Sequence, residues 1–364
     1  MAKDTLLDTF STATHDLAEP LLSKCYFFHD IRIFCRTNHP AILAIFDKML
    51  GIFPEPGKIA GESTYYVLCY ARSSQFPMQV PRRRIRTETV RLLTGTRLKY
   101  SCSSDFTTQY QEYVALAPIN EAALSVIHAT DGAAVTQIET PERYQAGFLR
   151  RYVLLLALGQ LMHTYGFEPC HSGAITAPWD ARQGALIIGG SGCGKTTLST
   201  GCATMGCGLL GDDLVMLRED TADGTIAAYA ISHEVSIRTA SLDLLPKLSF
   251  LREAPADLRG KRYCTIEQVR TGATRTRTAI RLLLFPALTT ETKSSITPLS
   301  KANTLQELVD KCMGKKNMSP QAEERLFLLL STLAEQAAGY RLSIARGTVD
   351  GPEIVYSLFA GNAI

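Results

Sequence analysis

Ala185-Leu186-Ile187-Ile188 runs directly into Gly189-Gly190-Ser191-Gly192-Cys193-Gly194-Lys195-Thr196-Thr197-Leu198. The apolar run predicts a short buried strand and the residues from Lys195 onward predict a helix, so the glycine-rich segment between them has the pattern and setting of a phosphate-binding loop. Its glycines let successive backbone N–H groups turn inward and approach phosphate oxygens without Cβ clashes. Lys195 supplies a point charge for β and γ phosphates, and the Thr196 hydroxyl is a ligand for Mg²⁺. The positive end of the following helix points at the same anion. Gly189 to Thr197 are therefore the nucleotide-binding segment, and ATP with Mg²⁺ is the expected pair of ligands.

The helix is predicted to run from Lys195 to about Met205 and to end at Gly206. A short strand, Cys207 to Leu210, then leads into Gly211-Asp212-Asp213. Neighbouring residues on extended chain point in opposite directions, so one carboxylate can face a metal while the other faces an acceptor. Upstream stands Pro169-Cys170-His171-Ser172-Gly173. His171 opens one strand of a predicted hairpin through Ala177-Pro178-Trp179-Asp180, whose second strand feeds the phosphate loop. That position lets the imidazole hydrogen-bond one of the two acids.

His171-Ser172-Gly173, the phosphate loop and Gly211-Asp212-Asp213, in this order and spacing, resemble the HPr kinase/phosphorylase family, within the wider phosphoenolpyruvate carboxykinase-like group. The resemblance covers roughly residues 146 to 300. It implies an α/β fold (α+β overall), with a phosphoenolpyruvate carboxykinase/HPr kinase-like C-terminal domain. By this resemblance Asp212 is the general base that takes the proton from an acceptor hydroxyl, and His171 hydrogen-bonds Asp212 and tunes its basicity. Asp213 and Thr196 hold Mg²⁺, and Lys195 neutralises charge on the transferring phosphoryl group. Adjacent carboxylates repel, and a cation on one keeps the other ionised.

The sequence also departs from that pattern. The Arg- and Gly-rich signature that follows the acids in HPr kinases is absent, so neither phosphorolysis nor HPr as acceptor is implied. His233-Glu234-Val235-Ser236-Ile237-Arg238 stands at about the right distance. It offers Glu234 as a third metal ligand and Arg238 as a phosphate contact, and it fits equally a half-exposed strand of alternating charge. In Gly260-Lys261-Arg262-Tyr263, Lys261 and Arg262 are candidate substrate or phosphate contacts, or simply a solvated loop. The carboxykinases are longer and carry a Glu-His segment after the acids, where this chain has Leu214-Val215-Met216.

The chain has 364 residues, 46% of them apolar, and a formal net charge of +3. That size accommodates two domains, and the small net charge argues against nucleic acid as a partner. No apolar run reaches the 18 or so residues that span a bilayer, and the opening Met-Ala-Lys-Asp lacks a signal-peptide core. Ten scattered cysteines without a CxxC pair fit a reduced, cytoplasmic protein. Residues 1–145 read as an N-terminal α+β domain for substrate or partner recognition, and 146–364 as the ATP-binding catalytic domain. The N-terminal part includes a predicted helix from Leu6 to Leu22 and strands around Cys25–Phe28, Ile31–Cys35 and Tyr65–Tyr70. It also holds a basic run, Arg82 to Arg86, that fits a solvated face or a docking patch for an acidic group. The C-terminal stretch reads as amphipathic helices at Ala302–Val309 and Gln321–Ala338, and the family resemblance implies a symmetric homo-oligomer. Three functions fit: a kinase acting on Ser or Thr of a protein or peptide, a kinase of a small hydroxylated metabolite, or a nucleotide-sensing module without transfer.

Overall fold

The computed structural model describes residues 21–70, 85–91, 97–103, 113–116, 123–128, 132–139, 149–220, 223–257, 260–313 and 320–361. The predicted Leu6–Leu22 helix lies almost wholly outside these residues. So does Arg82 to Arg84 of the basic run. The fold is mixed α/β, with several sheets and helices. The described chain divides into two compact units between Phe167 and Glu168.

In the first unit, β1 (Leu22–Phe28), β2 (Ile31–Thr37), β3 (Gly61–Tyr70), β6 (Tyr113–Leu116), β7 (Ala123–His128) and β8 (Ala133–Glu139) form one sheet, ordered β1-β2-β3-β8-β7-β6. The strands β4 (Ile85–Arg91) and β5 (Arg97–Ser103) form a separate antiparallel ladder. Alternation is visible in β2, where Ile31, Ile33, Cys35 and Thr37 are buried and the residues between them are not. Helix α1 (Pro40–Leu50) begins with proline in its first turn and buries Ile42, Ile45, Phe46, Met49 and Leu50. That is the i, i+3, i+4, i+7 stripe of an amphipathic helix. Phe46 packs edge-on to Tyr65 of β3 at 5.4 Å. Helix α2 (Leu155–His163) continues from a π-helical turn, Leu149–Leu154, and packs on β6, β7 and β8. The division therefore falls after this helix, downstream of the Gln145 boundary read from sequence. Its apolar stripe belongs to the first sheet.

The second unit carries a nine-stranded sheet. Its strands are β9 (Glu168–Cys170), β10 (Ser172–Thr176), β11 (Gly184–Ile188), β12 (Gly208–Gly211), β13 (Val215–Glu219), β14 (Ile226–Ala230), β17 (Arg277–Thr289), β18 (Ser295–Pro298) and β19 (Ala338–Ala345). The order is β12-β10-β11-β17-β14-β13-β9, with β19 on β17 and β18 on β19. A separate ladder pairs β15 (Glu234–Arg238) with β16 (Lys261–Thr265). The expected hairpin is present, with β10 antiparallel to β11, and Trp179 in its turn is half exposed and edge-on to Tyr356. All five residues of β11 are buried, as befits a strand that is parallel to β17 and covered on both faces.

Helix α3 (Lys195–Thr204) follows the glycine-rich loop. Leu198 and Cys202 from it join Ile187, Val235, Ile237, Leu342 and Val355 in one apolar core. That core ties α3 to the sheet, to the β15–β16 ladder and to helix α6 (Gly351–Phe359). Arg270 closes the far end of α3, donating to the carbonyls of Ala203, Gly206 and Cys207 at 2.7 to 3.0 Å, where a cation also meets the negative end of the helix dipole. Helices α4 (Lys301–Cys312) and α5 (Pro320–Gln336) pack together and on the sheet.

Strand β17 runs through Pro286 to Thr289. Pairing of β17 with β11 ends at Leu284, so Pro286 lies beyond it, with only β19 alongside. A residue without an N–H is tolerated where one side of a strand is free. Among the described residues no helix is long and apolar enough to cross a membrane, and nine cysteines are free thiols.

Candidate active site

Two ladders place the histidine and the acids opposite one another. Cys170 of β9 pairs with Val215 of β13, and Ala174 of β10 pairs with Gly211 of β12. The link between β9 and β10, which is His171, therefore faces the link between β12 and β13, which holds Asp212 and Asp213. The glycine-rich loop reaches the same place from the end of β11. Gly192 and Gly194 take φ values of 86° and 97°, which side-chain-bearing residues rarely adopt. Gly194 caps α3 in that conformation.

The loop and Asp213 share a cavity of about 930 Å³, lined among others by His171, Lys195, Thr196, Arg238 and Lys261. Asp212 is 4% exposed. Its Oδ2 accepts from the Thr196 hydroxyl at 3.0 Å, the Ser236 backbone N–H at 3.3 Å and the Ser236 hydroxyl at 3.4 Å. Asp213 turns the other way. Its carboxylate lies 3.3 Å from His171 Nδ1 and 3.8 Å from Lys261 Nζ. The opposed directions follow from extended chain, yet the pairing reverses the one read from sequence. Thr196 is joined to Asp212 rather than to Asp213, and the side chain beside His171 is that of Asp213. Ser236, which no sequence signal marked, is the residue that fixes Asp212.

His171 Nδ1 also lies 2.7 Å from the Asp213 backbone carbonyl. A carbonyl only accepts, so Nδ1 donates and Nε2 is left to accept from Lys195 Nζ at 3.2 Å. The Lys195 ammonium donates further to the carbonyls of Gly189 and Gly190 at 2.7 and 3.1 Å. It is folded back on its own loop, with all three protons committed. Thr197 donates to the Ser241 hydroxyl at 3.1 Å.

The remaining candidates divide. Lys261 lines the cavity and donates to the Ser236 hydroxyl at 3.3 Å. Arg238 lines it too. Arg262, one residue along β16, points elsewhere and donates to Ala254 O at 3.0 Å and to the Thr239 hydroxyl, so it braces the ladder. Glu234 shares a strand face with Ser236 by two-residue alternation, but it pairs with Thr265 at the opposite end of the ladder from Arg238. Ser236 takes the position against Asp212. Among the described residues no three His, Cys, Asp or Glu side chains gather as a metal site. Burial, with smaller contributions from Asp212 and Glu234, pushes the Cys264 thiol up to about 12.

No family model matches the chain, and no curated protein matches it. Among solved structures, the Hpr(Ser) kinase/phosphatase from Coxiella burnetii aligns with a TM-score of 0.32 and 13% identity, over 53% of this chain and 89% of that one. A likeness of that size carries no inference about the site.

Proposed function

We propose that the second unit is an ATP- and Mg²⁺-dependent kinase that transfers the γ-phosphoryl group to a hydroxyl. The observation that carries this reading is the division of labour between the twin acids. Beside a phosphate-binding loop, Asp212 is buried on the Thr196 hydroxyl while Asp213 faces the cavity with His171 behind it. Thr196 and Asp212 offer two hard oxygen ligands 3.0 Å apart, and Mg²⁺ takes one or two protein ligands of that kind together with phosphate oxygens. Mg²⁺ held there supplies charge neutralisation at the phosphates.

The chain's own groups account for the rest. Backbone N–H groups of the loop and the end of α3 receive the phosphates. Lys195 moves from its loop carbonyls to the β and γ oxygens. Asp213, rather than Asp212, is placed to accept the acceptor's proton, because it is the acid on the cavity wall. The hydroxyl oxygen then bonds to the γ phosphorus, the bond to the β–γ bridging oxygen breaks, and ADP leaves. Positioning and charge stabilisation contribute most of the acceleration in such transfers.

The acceptor read from sequence, Ser or Thr of a protein or peptide, and a small hydroxylated metabolite would use the same acid. Incubation of the protein with ATP, Mg²⁺ and panels of peptides and hydroxy compounds tests the reading by mass spectrometry. One added phosphoryl group on a hydroxyl is the expected result. Tight nucleotide binding without any acceptor-dependent ADP release would leave a nucleotide-sensing module in its place.

A further inference from the structure

On the cavity wall beyond Asp213, two cations stand side by side. Arg238 ends β15 and Lys261 begins β16, and the two are direct antiparallel partners. Both line the cavity. Like charges directly opposite on paired strands destabilise a ladder, so folding alone gives no reason for this placement. Lys261 is held by the Ser236 hydroxyl and by Asp213. Among the described residues the Arg238 side chain has no hydrogen-bonding or ionic partner, and it is exposed on the cavity wall. The ladder under the pair is braced: Arg262 grips Ala254 and Thr239, and Asp257 accepts from the Lys261 backbone and the Tyr263 hydroxyl.

The order of groups along the wall sets what the pair can bind. Lys195 meets His171 at 3.2 Å, His171 meets Asp213 at 3.3 Å, and Asp213 meets Lys261 at 3.8 Å, with Arg238 across the ladder. Asp213 is thus linked to the phosphate-loop lysine through His171 and to the cation pair directly through Lys261. An anion on Arg238 and Lys261 lies next to the acid that receives the hydroxyl proton.

We infer that Arg238 and Lys261 form the subsite for an anionic group of the acceptor, and that the acceptor is a small hydroxy compound carrying a carboxylate or phosphate within a few bonds of the accepting oxygen. The inference rests on the kinase reading and deepens it. Arg238 offers the planar donor fork that matches carboxylate and phosphate oxygens, and Lys261 offers a point charge. A serine in a peptide has neutral amides at that distance, which leave the pair unmatched.

Two measurements test this on the whole chain. In the first, ADP release is followed with glycerol, glycerate and glycerol 3-phosphate, together with neutral and acidic serine peptides. The charged small compounds are expected to exceed glycerol in kcat/KM by tenfold or more, and Arg238→Gln is expected to erase that preference. Equal rates for glycerol and its charged counterparts, or faster transfer to the acidic peptide than to either charged compound, would overturn the inference. So would an Arg238→Gln effect confined to the KM for ATP. In the second, inorganic phosphate is titrated calorimetrically into protein already saturated with a non-hydrolysable ATP analogue and Mg²⁺, so that the loop is filled. One site weakened tenfold or more by Arg238→Gln supports the subsite even if no transfer is seen, in which case the kinase reading alone fails. Phosphate binding that is absent, or indifferent to Arg238→Gln, removes the subsite whatever the kinase does.

Discussion

The Thr196 hydroxyl donates to Asp212 Oδ2 at 3.0 Å, and this bond assigns different work to two adjacent acids. Asp213→Asn keeps the shape of the cavity and removes the proton acceptor. It is expected to lower kcat by about 10²- to 10⁴-fold, the usual contribution of a positioned base, with nucleotide affinity retained. Asp212→Asn removes a metal-side oxygen instead. It is expected to raise the Mg²⁺ concentration for half-maximal nucleotide binding by roughly 10- to 100-fold, since even outer-shell partners of a metal matter that much. Single-turnover rates and Mg²⁺ titrations of both variants separate the roles, and the opposite pattern would return the base to Asp212.

His171 acts through its neighbours. Its Nδ1 donates to the Asp213 carbonyl and lies against the Asp213 carboxylate, while Nε2 meets Lys195. His171→Gln keeps one polar contact and loses the other. The expected result is a fall in kcat of about tenfold, near the cost of one charge-assisted hydrogen bond, with less change in KM for ATP. A larger rise in KM than fall in kcat would instead place His171 in phosphate binding.

Much of this site was legible in the chain because local rules govern its parts. The strand–loop–helix of residues 185–204, the hairpin from His171 and the acids after β12 all follow from short-range pattern. Which acid faces which way was not legible. That depends on Ser236, 24 residues away from Asp212, arriving through the β15–β16 ladder. The same ladder decides that Arg262 faces the backbone of Ala254 while Lys261 faces the cavity, a consequence of two-residue alternation once the register is known. In β19, Tyr340, Leu342 and Ile344 alternate as a strand should, but its parallel pairing with β17 is long-range and left no local mark. That β17 continues through Pro286 has no local signal either, because the one-sided neighbourhood of the strand beyond Leu284 is a property of the sheet and not of the segment.

Asp350 gives the turn between β19 and α6 a dependence on acid. Its carboxylate accepts from the Ser294 N–H at 3.0 Å and from the Ser294 and Thr348 hydroxyls at 2.6 and 2.5 Å. Burial pushes this carboxyl up, but the hydrogen bonds outweigh it and leave it below the ordinary aspartate value. A carboxyl lowered in the folded state stabilises above the unfolded value, and that stability is lost as pH falls through the folded value. Asp350→Asn is expected to cost roughly 1–3 kcal/mol at neutral pH and to flatten the loss of stability below about pH 4. Urea unfolding at pH 7 and at pH 3 to 4 checks both, and an unchanged acid limb would mean that other carboxylates carry it.

Gly339 marks a close approach between β19 and α4. A Cβ built on it would lie 2.1 Å from Thr304 Oγ1, 2.8 Å from Cγ2 and 2.9 Å from Cβ. Thr304 has no room to retreat: it is fully buried, and its hydroxyl donates to the Ser300 carbonyl at 2.8 Å. Gly339→Ala is therefore expected to destabilise by about 1–3 kcal/mol through overpacking, or roughly 2–4 °C of melting temperature per kcal/mol for a domain of this size. Thr304→Ala removes the two nearest atoms, so the double variant should be less destabilised than the sum of the singles. Thermal unfolding of the four proteins in the cycle measures that coupling. Strict additivity would show that α4 shifts freely over β19 and that the contact does not fix their spacing.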